Sequence, residues 1–469
     1  MLFNSLDFLC LLVPTFVLYY LPLLHRWQLH LIVMGSFIFY AYSAPWLLAL
    51  LVFSIGINIW ASHAVVFGDP GRRKLYSTLG VVLNLLVLAV FKYSPLVGRS
   101  FFDTGHGVGQ FLVSIPLPVG ISFFTFQGIS LVIDAYRSKD VAAYRSIVAQ
   151  GMYRHALRTT TFIAFFAQLV AGPVVKAHDF MPQIATKYFT RIDWERAVGA
   201  LVVGYFLKMV IADNLSEQTF WLTYPYFKGL SSITLLALLF GYSMQIFADF
   251  AGYSLIAIGL GHLFGYTLMT NFNFPYLSRS FSEFWKRWHI SLSSFLKEYL
   301  YIPLGGNRKG PVRTYINLMS TMVLGGLWHG AAWSYAIWGA WHGGMLAVER
   351  LLQDKFGGPF KVPKLLSTLF IFICVTLAWL LFKLPEFDHV IAYMQSLAGN
   401  WSGADLQPLV LFFIGLLSIP VVCYHLFHYG NEAKAAARRA RWQPYAYGIM
   451  IFLLLVNSGS GGAFIYFQF

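Results

Sequence analysis

Apolar runs of membrane-spanning length recur from one end of this 469-residue chain to the other, and nothing else in it constrains the fold as much. Within a bilayer each backbone amide and carbonyl must find its partner inside the protein, so a succession of such runs folds as a bundle of helices. Hydrophobic residues make up 58% of the sequence and charged residues only 11%, which excludes an ordinary soluble domain and predicts an all-α, polytopic integral membrane protein. Candidate spans open near Phe8, Leu29, Trp46, Tyr76, Leu117, Thr160, Ala197, Ile233, Leu255, Tyr315, Ala331, Leu365, Leu409 and Tyr445. Several are short for a crossing of ~20 residues, so the expectation is roughly eleven transmembrane helices, the remainder being re-entrant or interfacial.

The N-terminus has no charged leader and no small-residue cleavage site, so Phe8–Leu24 is expected to remain as the first span. Lys and Arg exceed Asp and Glu by 14. In a soluble protein that excess would suggest nucleic-acid binding; here the basic residues gather in short loops, as the positive-inside rule requires, and no nucleic-acid partner is expected. Placing the loops at His25–Arg26, Arg72–Lys74, Arg137–Arg158 and Lys434–Arg441 in the cytosol leaves both termini on the outer face. Cys10, Cys374 and Cys423 all lie in apolar runs, where buried small hydrophobes are expected rather than a disulfide framework.

No repeat of solenoid period and no long low-complexity linker divides the chain, so residues 1–469 are expected to form a single membrane domain. Residues 1–110 and 360–469 carry ordinary spans with short loops. Residues 115–350 hold nearly all the intramembrane polar groups, and that stretch is the expected catalytic core.

Within it, FSEFWKRWHISLSSFLKEYL (281–300) places apolar residues at 281, 284, 285, 288, 292, 295, 296 and 299, with Glu283, Lys286, Arg287, Lys297 and Glu298 opposite. This spacing predicts one amphipathic helix at the membrane interface, with Trp288 on the stripe and His289 at its edge beside Leu296. Immediately downstream, LGGNRKG (304–310) combines glycines that allow close backbone approach with Asn307, Arg308 and Lys309. Such a turn suits a phosphate, or is simply a charged cytosolic turn.

The segment LGGLWHGAAWSYAIWGAWHGG (324–344) repeats a Trp-His-Gly triplet at Trp328-His329 and Trp341-His342. Gly325 and Gly326 strip the side chains from a turn before His329, so a substrate could reach the imidazole. His342 lies thirteen residues on, which in one continuous helix places it about 220° round and away from the same wall. Imidazole takes and returns a proton near neutral pH, so His329 reads either as a general base or as a hydrogen-bonded core histidine with Trp328 as an interfacial anchor. No His, Cys or carboxylate set has metal-ligand spacing, so no metal is expected. Asp249, in QIFADFAGYS, is placed at the junction of two spans, where it reads as a structural acceptor or as part of a polar tunnel. Nucleophile-elbow, Walker and dinucleotide glycine patterns do not occur.

On these residues the chain resembles the membrane-bound O-acyltransferase family, in its bacterial alginate O-acetyltransferase-like branch, over nearly its whole length. The resemblance is carried by LPVGISFFTFQGISLVIDAYR (117–137), QLVAGPVV (168–175), FADFAGYS (247–254), NFNFPYLSRSFSEFWKRWHISLSSFLKEYLYIPLGGNRKG (271–310) and LGGLWHG with WGAWHG (324–343). It implies a funnel-shaped multi-helix fold, with an acyl donor entering from the cytosol and an acceptor from outside. It further implies that His329 is catalytic and that His289 lines the same tunnel, with Trp328, Trp288, Arg287, Asp249, Tyr253, Asn307, Arg308 and Lys309 as further tunnel residues. Ala251 and Leu255 depart from the branch pattern, where a serine and an acidic residue are usual.

The expectation that follows is an inner-membrane acetyltransferase moving acetyl groups from cytosolic acetyl-CoA for O-acetylation of an exported polysaccharide, with His329 as general base. No cofactor would be permanently bound, since acetyl-CoA is a substrate. The expected partners are membrane lipid, a polysaccharide synthase with export components, and a periplasmic serine-hydrolase-like acetyltransferase of the SGNH type. A peptidoglycan, teichoic acid or lipid acceptor is the alternative. A non-enzymatic exporter is disfavoured by the lack of repeat symmetry.

Overall fold

A computed structural model describes all residues but 43, 139–143, 145–146, 171, 357–361, 403, 428–431, 458 and 460–469, and omits the side chains of 432–440. Parts of the Arg137–Arg158 loop, most of the Lys434–Arg441 side chains and the C-terminal end therefore lie outside the described residues. What is described is helical, apart from turns and a single bridge between Leu230 and Asp405. Among the described residues six helices are long and apolar enough to cross a membrane: Leu47–Phe67, Pro70–Phe101, Trp194–Leu222, Ser232–Leu263, Lys364–Lys383 and Pro408–Leu426. The pair Leu6–Tyr20 and Pro22–Ala41, bent by 104°, makes a seventh if it crosses as one span. The first of these two has only 15 residues, about 22 Å of helix against a hydrocarbon core of about 30 Å.

Ser232–Leu263 corrects the two spans expected to open at Ile233 and Leu255: its 32 residues run without a break. The junction expected around Asp249 is thus absent, and Gly252 is a helical glycine whose missing side chain lets the backbone of Gly204 and Lys208 approach; a β-carbon there would come within 2.8 Å of the Gly204 carbonyl. The cysteines also depart in part from expectation. All three are free, but only Cys374 is buried; Cys10 and Cys423 lie on exposed helix faces, where an apolar run turns outward.

The described chain falls into two compact units, one of Met1–Leu201 with Ser254–Met269 and the other of Val202–Tyr253 with Thr270–Phe469. In the first, buried polar pairs tie apolar helices together. Asn58 and Asn84 exchange side-chain amide hydrogen bonds of 3.1 and 2.9 Å between Leu47–Phe67 and Arg73–Leu88. The second unit holds every residue expected in the site.

Candidate active site

The segment 281–300 is two short helices, Phe281–Arg287 and Ile290–Leu296, followed by a wide π-type turn, Lys297–Tyr301. The single interfacial helix expected there breaks at Trp288-His289. His289 takes φ 44, ψ 53, a left-handed backbone that a side chain with a β-carbon adopts only when its surroundings hold it there. Those surroundings are visible. Asn273 N–H donates to the Arg287 carbonyl and Ile290 N–H to the Asn271 carbonyl, both at 2.9 Å, so the 271–273 segment splints the break. Arg287 adds a clamp, binding Glu283 at 2.9 Å and donating to the Asn273 carbonyl at 3.1 Å. It therefore braces the turn and is not one of the cavity-lining residues.

The break turns His289 inward until it is fully buried. Its Nδ1 lies 3.0 Å from Asn271 Oδ1. That oxygen is identified as an acceptor because it also takes the Ser291 N–H at 3.3 Å and the Ser291 hydroxyl at 2.9 Å. Nδ1 is accordingly the protonated nitrogen, and Nε2 carries the lone pair. Burial pushes the His289 pKa down to about 3, so the ring is neutral at physiological pH.

His329 arrives from the other direction. It ends the helix Pro311–His329, and after the extended Gly330 the chain turns into the helix Trp333–Phe356. The two helices cross closely: a β-carbon on Gly326 would lie 2.1 Å from the Tyr335 carbonyl, and one on Gly339 would lie 2.3 Å from the Met322 carbonyl. This hairpin replaces the one continuous helix behind the 220° argument, yet the outcome stands, since His342 is not among the residues lining the cavity beside His329. His329 and His342 lie on facing helices and meet the same indole, Trp338, at 5.3 and 4.7 Å between ring centroids. The two glycines of LGGLWH, expected in a turn, are helical and have different tasks, Gly326 at the crossing and Gly325 on a cavity wall.

The rings converge. His289 and His329 are 6.0 Å apart by centroid, and Trp328 lies 5.9 Å from the first and 5.1 Å from the second. Trp288 and Trp328 are 2% and 3% exposed, so neither is an anchor at the bilayer surface. Trp288 is packed against Trp379, Phe272 and Phe284 at 4.9, 5.0 and 5.7 Å and supports the break from beneath.

A cavity of about 180 Å³ opens beside His329. One wall is a single face of Pro311–His329, namely Leu318, Thr321, Met322, Gly325 and His329; the opposite wall is Leu292, Ser293, Leu296, Lys297 and Tyr301. Eleven residues of helix separate Leu318 from His329, about 16 Å. The two walls run antiparallel, joined by the glycine-rich turn, so the histidines stand at one end and the turn at the other. Asn317 fixes that turn, its amide donating to the Leu304 and Gly306 carbonyls at 3.3 and 2.9 Å. Gly305 and Gly306 take φ 113 and 55, as only glycine does readily. Asn307, Arg308 and Lys309 are exposed at its tip and are not among the residues lining the cavity.

Lys297 was read as belonging to a polar face turned away from the histidines; the π-type turn brings it onto the cavity wall. Trp285, Tyr301 and Trp338, which lie within the quoted motifs but were not singled out, also line the cavity, as does Thr321, which no motif covers. Asp249 and Tyr253 belong elsewhere. Lys208 Nζ lies 2.7 Å from both Asp249 and Asp213, with all three side chains at most 5% exposed, and 5.5 Å from the Tyr253 ring. Asp249, mid-way along Ser232–Leu263, is thus held in a buried ion triad with two residues of Trp194–Leu222, and neither it nor Tyr253 is a cavity-lining residue.

Comparison with known sequences decides the class. Residues 37–356 match the membrane-bound O-acyltransferase family profile, more than half of the chain. The chain belongs to that family. It is 37% identical over 469 residues to a probable alginate O-acetylase of Pseudomonas putida, covering 96% of this chain and 91% of the relative. A probable alginate O-acetylase of Azotobacter vinelandii is 39% identical over 421 residues, 87% and 80% of the two chains. A peptidoglycan O-acetyltransferase of Helicobacter pylori is 35% identical over 396 residues, 78% and 73%. The protein is therefore a multi-pass membrane O-acyltransferase, and its membrane-bound O-acyltransferase region contains both histidines and the whole cavity.

Proposed function

We propose that this O-acyltransferase takes acetyl groups from cytosolic acetyl-CoA and delivers them for O-acetylation of an exported polysaccharide, from the bacterial inner membrane. One observation carries the reading: His329 stands on the wall of an elongated cavity, with the neutral His289 6.0 Å away at the same end and a basic turn at the other. Names of the two alginate O-acetylase relatives support acetyl as the group transferred.

In the proposed reaction the thioester lies with its carbonyl at the histidine end. His329 takes the proton of an acceptor hydroxyl, whose oxygen bonds to the thioester carbon. The tetrahedral intermediate collapses with loss of the C–S bond, and the imidazolium returns its proton to the departing thiolate. General-base assistance of this kind contributes roughly 10²–10⁴-fold. His289 positions donor or acceptor, and Lys297, Arg308 and Lys309 attract the anionic CoA. Eleven membrane crossings would require shorter helices to span in addition to the six long ones.

The reading further holds that a hydrated polymer does not enter the cavity, whose volume is only about 180 Å³. A periplasmic SGNH-type acetyltransferase would carry the acetyl group onward, beside the polysaccharide synthase and export components. A peptidoglycan acceptor is the second reading, favoured by the Helicobacter relative, and uses the same site. The deciding experiment places the purified protein in lipid vesicles with acetyl-CoA on one side. Release of free CoA thiol, lost in His329→Ala at equal protein level, supports the reading; no release from wild type in the presence of a hydroxyl acceptor refutes it. Acetylation of polymer by this protein alone would dismiss the relay partner.

A further inference from the structure

A second, larger cavity, of about 390 Å³, lies between the helix Trp333–Phe356 and the helix Lys364–Ala378. Met345, Val348 and Leu352 line it from the first helix and Leu366, Phe370 and Ile371 from the second, with the Phe281 ring 6.5 Å from that of Phe370. Val348, Leu366 and Phe370 are each at least half exposed, so the groove opens sideways, on the surface that a membrane-spanning Lys364–Lys383 presents to lipid. The hairpin fixes the level of its polar rim. Gly339 packs on Met322 and Gly343 on Met319, so Glu349 and Gln353, further along Trp333–Phe356, lie toward the end that carries the basic turn and away from His329.

Arg279 is the cation of that rim. Its backbone N–H donates to Glu283 at 2.9 Å, while its guanidinium has no ion pair or hydrogen bond among the described residues. The carboxylate on the rim is already engaged: Glu349 Oε2 takes the Phe281 N–H at 2.6 Å and the Ser282 N–H at 3.4 Å. An apolar groove open to hydrocarbon, with an unpaired guanidinium at its surface end, matches an acyl chain tied to a phosphate.

We propose that this groove binds a glycerophospholipid of net negative charge, with its phosphate on Arg279 and one acyl chain along Val348 and Phe370. Guanidinium forks onto phosphate oxygens, and basic pockets between membrane helices select anionic headgroups in this way. A zwitterionic headgroup would bring an ammonium to a Glu349 whose oxygen is held by backbone N–H groups, and so gains nothing from it. The seated lipid covers Phe281 and the Glu349 contact, the start of the helix that ends at the His289 break. The proposal stands apart from the acyl-transfer reading.

The test places the full-length protein in phosphatidylethanolamine vesicles doped with phosphatidylglycerol that carries a mid-chain diazirine. After illumination, adducts are expected on peptides holding 345–352 and 366–371, above the level on the exposed face of Pro408–Leu426. Unlabelled phosphatidylglycerol should compete, and a matched addition of phosphatidylethanolamine should not. Arg279→Gln should lower groove labelling by about tenfold, the scale of one charge-assisted hydrogen bond, and leave labelling of Pro408–Leu426 unchanged. Val348→Trp should also lower it by filling the groove with Arg279 intact, and serves if the first variant fails to accumulate. Groove labelling that is unchanged in both variants, or no higher than on Pro408–Leu426, overturns the site. Equal competition by phosphatidylethanolamine overturns the selection for negative charge. A second copy of the chain in the groove, seen as a disulfide-linked dimer of Val348→Cys without lipid adducts, overturns the lipid as its occupant.

Discussion

His289 and His329 hold their rings 6.0 Å apart although forty residues of chain separate them. Two backbone devices produce the meeting: a left-handed residue that breaks one helix, and a helix end at Gly330 where any side chain would strike the Tyr335 ring. Each imidazole is thereby placed by a tightly built turn, and the pair is as rigid as the aromatic packing around it.

His329→Ala should lower thiol release from acetyl-CoA by roughly 10²–10⁴-fold, the range for loss of a general base. Because the ring faces a cavity on one side, the variant should insert and accumulate normally. Turnover at matched membrane level checks it, and near-wild-type activity would dismiss the assignment.

His289 should be sensitive to pH in a direction opposite to that of a histidine stabilised by a carboxylate. Burial lowers its folded pKa to about 3, against about 6.5 in the unfolded chain. Between those values the unfolded chain binds a proton that the folded protein refuses. Stability therefore falls as pH drops from 6.5 toward 3 and is level above 6.5, one proton contributing at most about 1.4 kcal/mol per pH unit. Asparagine tolerates the left-handed backbone, so His289→Asn should fold and show a shallower acid slope than wild type in thermal inactivation.

Lys297→Ala should raise the KM for acetyl-CoA by about tenfold while leaving that for the phosphate-free S-acetyl-N-acetylcysteamine unchanged, since only the former presents an anion to the cavity edge. Lys297→Arg should restore most of the loss. Equal effects on both donors would remove Lys297 from donor binding.

Lys208→Met leaves Asp213 and Asp249 facing each other without the ammonium at 2.7 Å from each. Breaking a buried ion set in this way costs about 3–5 kcal/mol, so the variant should lose its folded population on mild heating of detergent-solubilised protein. Restoring neutrality with Lys208→Met/Asp213→Asn/Asp249→Asn should recover much of it.

Gly326→Ala and Gly339→Ala each push a methyl into the backbone of the facing helix, at 2.1 and 2.3 Å. Overpacking of this kind costs about 1–3 kcal/mol, and because His329 ends one of the two helices, activity should fall with stability.

The histidines and tryptophans were legible in the sequence because their types are rare and their setting apolar, and helical class followed from the apolar runs. The break at His289 was not legible. The apolar stripe from Phe281 to Tyr299 reads continuously through it, and what overrides the stripe is Asn271, eighteen residues upstream. Lys297 was missed for the same reason, since a π-type turn shifts the register by which its face was assigned. Asp249 looked isolated because Lys208 lies forty-one residues earlier, and sequence pattern carries no information about which buried charges meet. His342 was set apart from His329 by assuming one helix where there are two.

The triad of Lys208, Asp213 and Asp249 also bears on how the protein is made. Trp194–Leu222 brings an ammonium and a carboxylate into the membrane, and Ser232–Leu263 brings a second carboxylate. Within Trp194–Leu222 Lys208 and Asp213 pair with each other, whereas Asp249 would stand alone on Ser232–Leu263, an isolated charge opposing insertion by about 2.5–3.5 kcal/mol at mid-bilayer. The later helix is therefore stabilised in the membrane only where it packs against the earlier one and Asp249 meets the Lys208 ammonium.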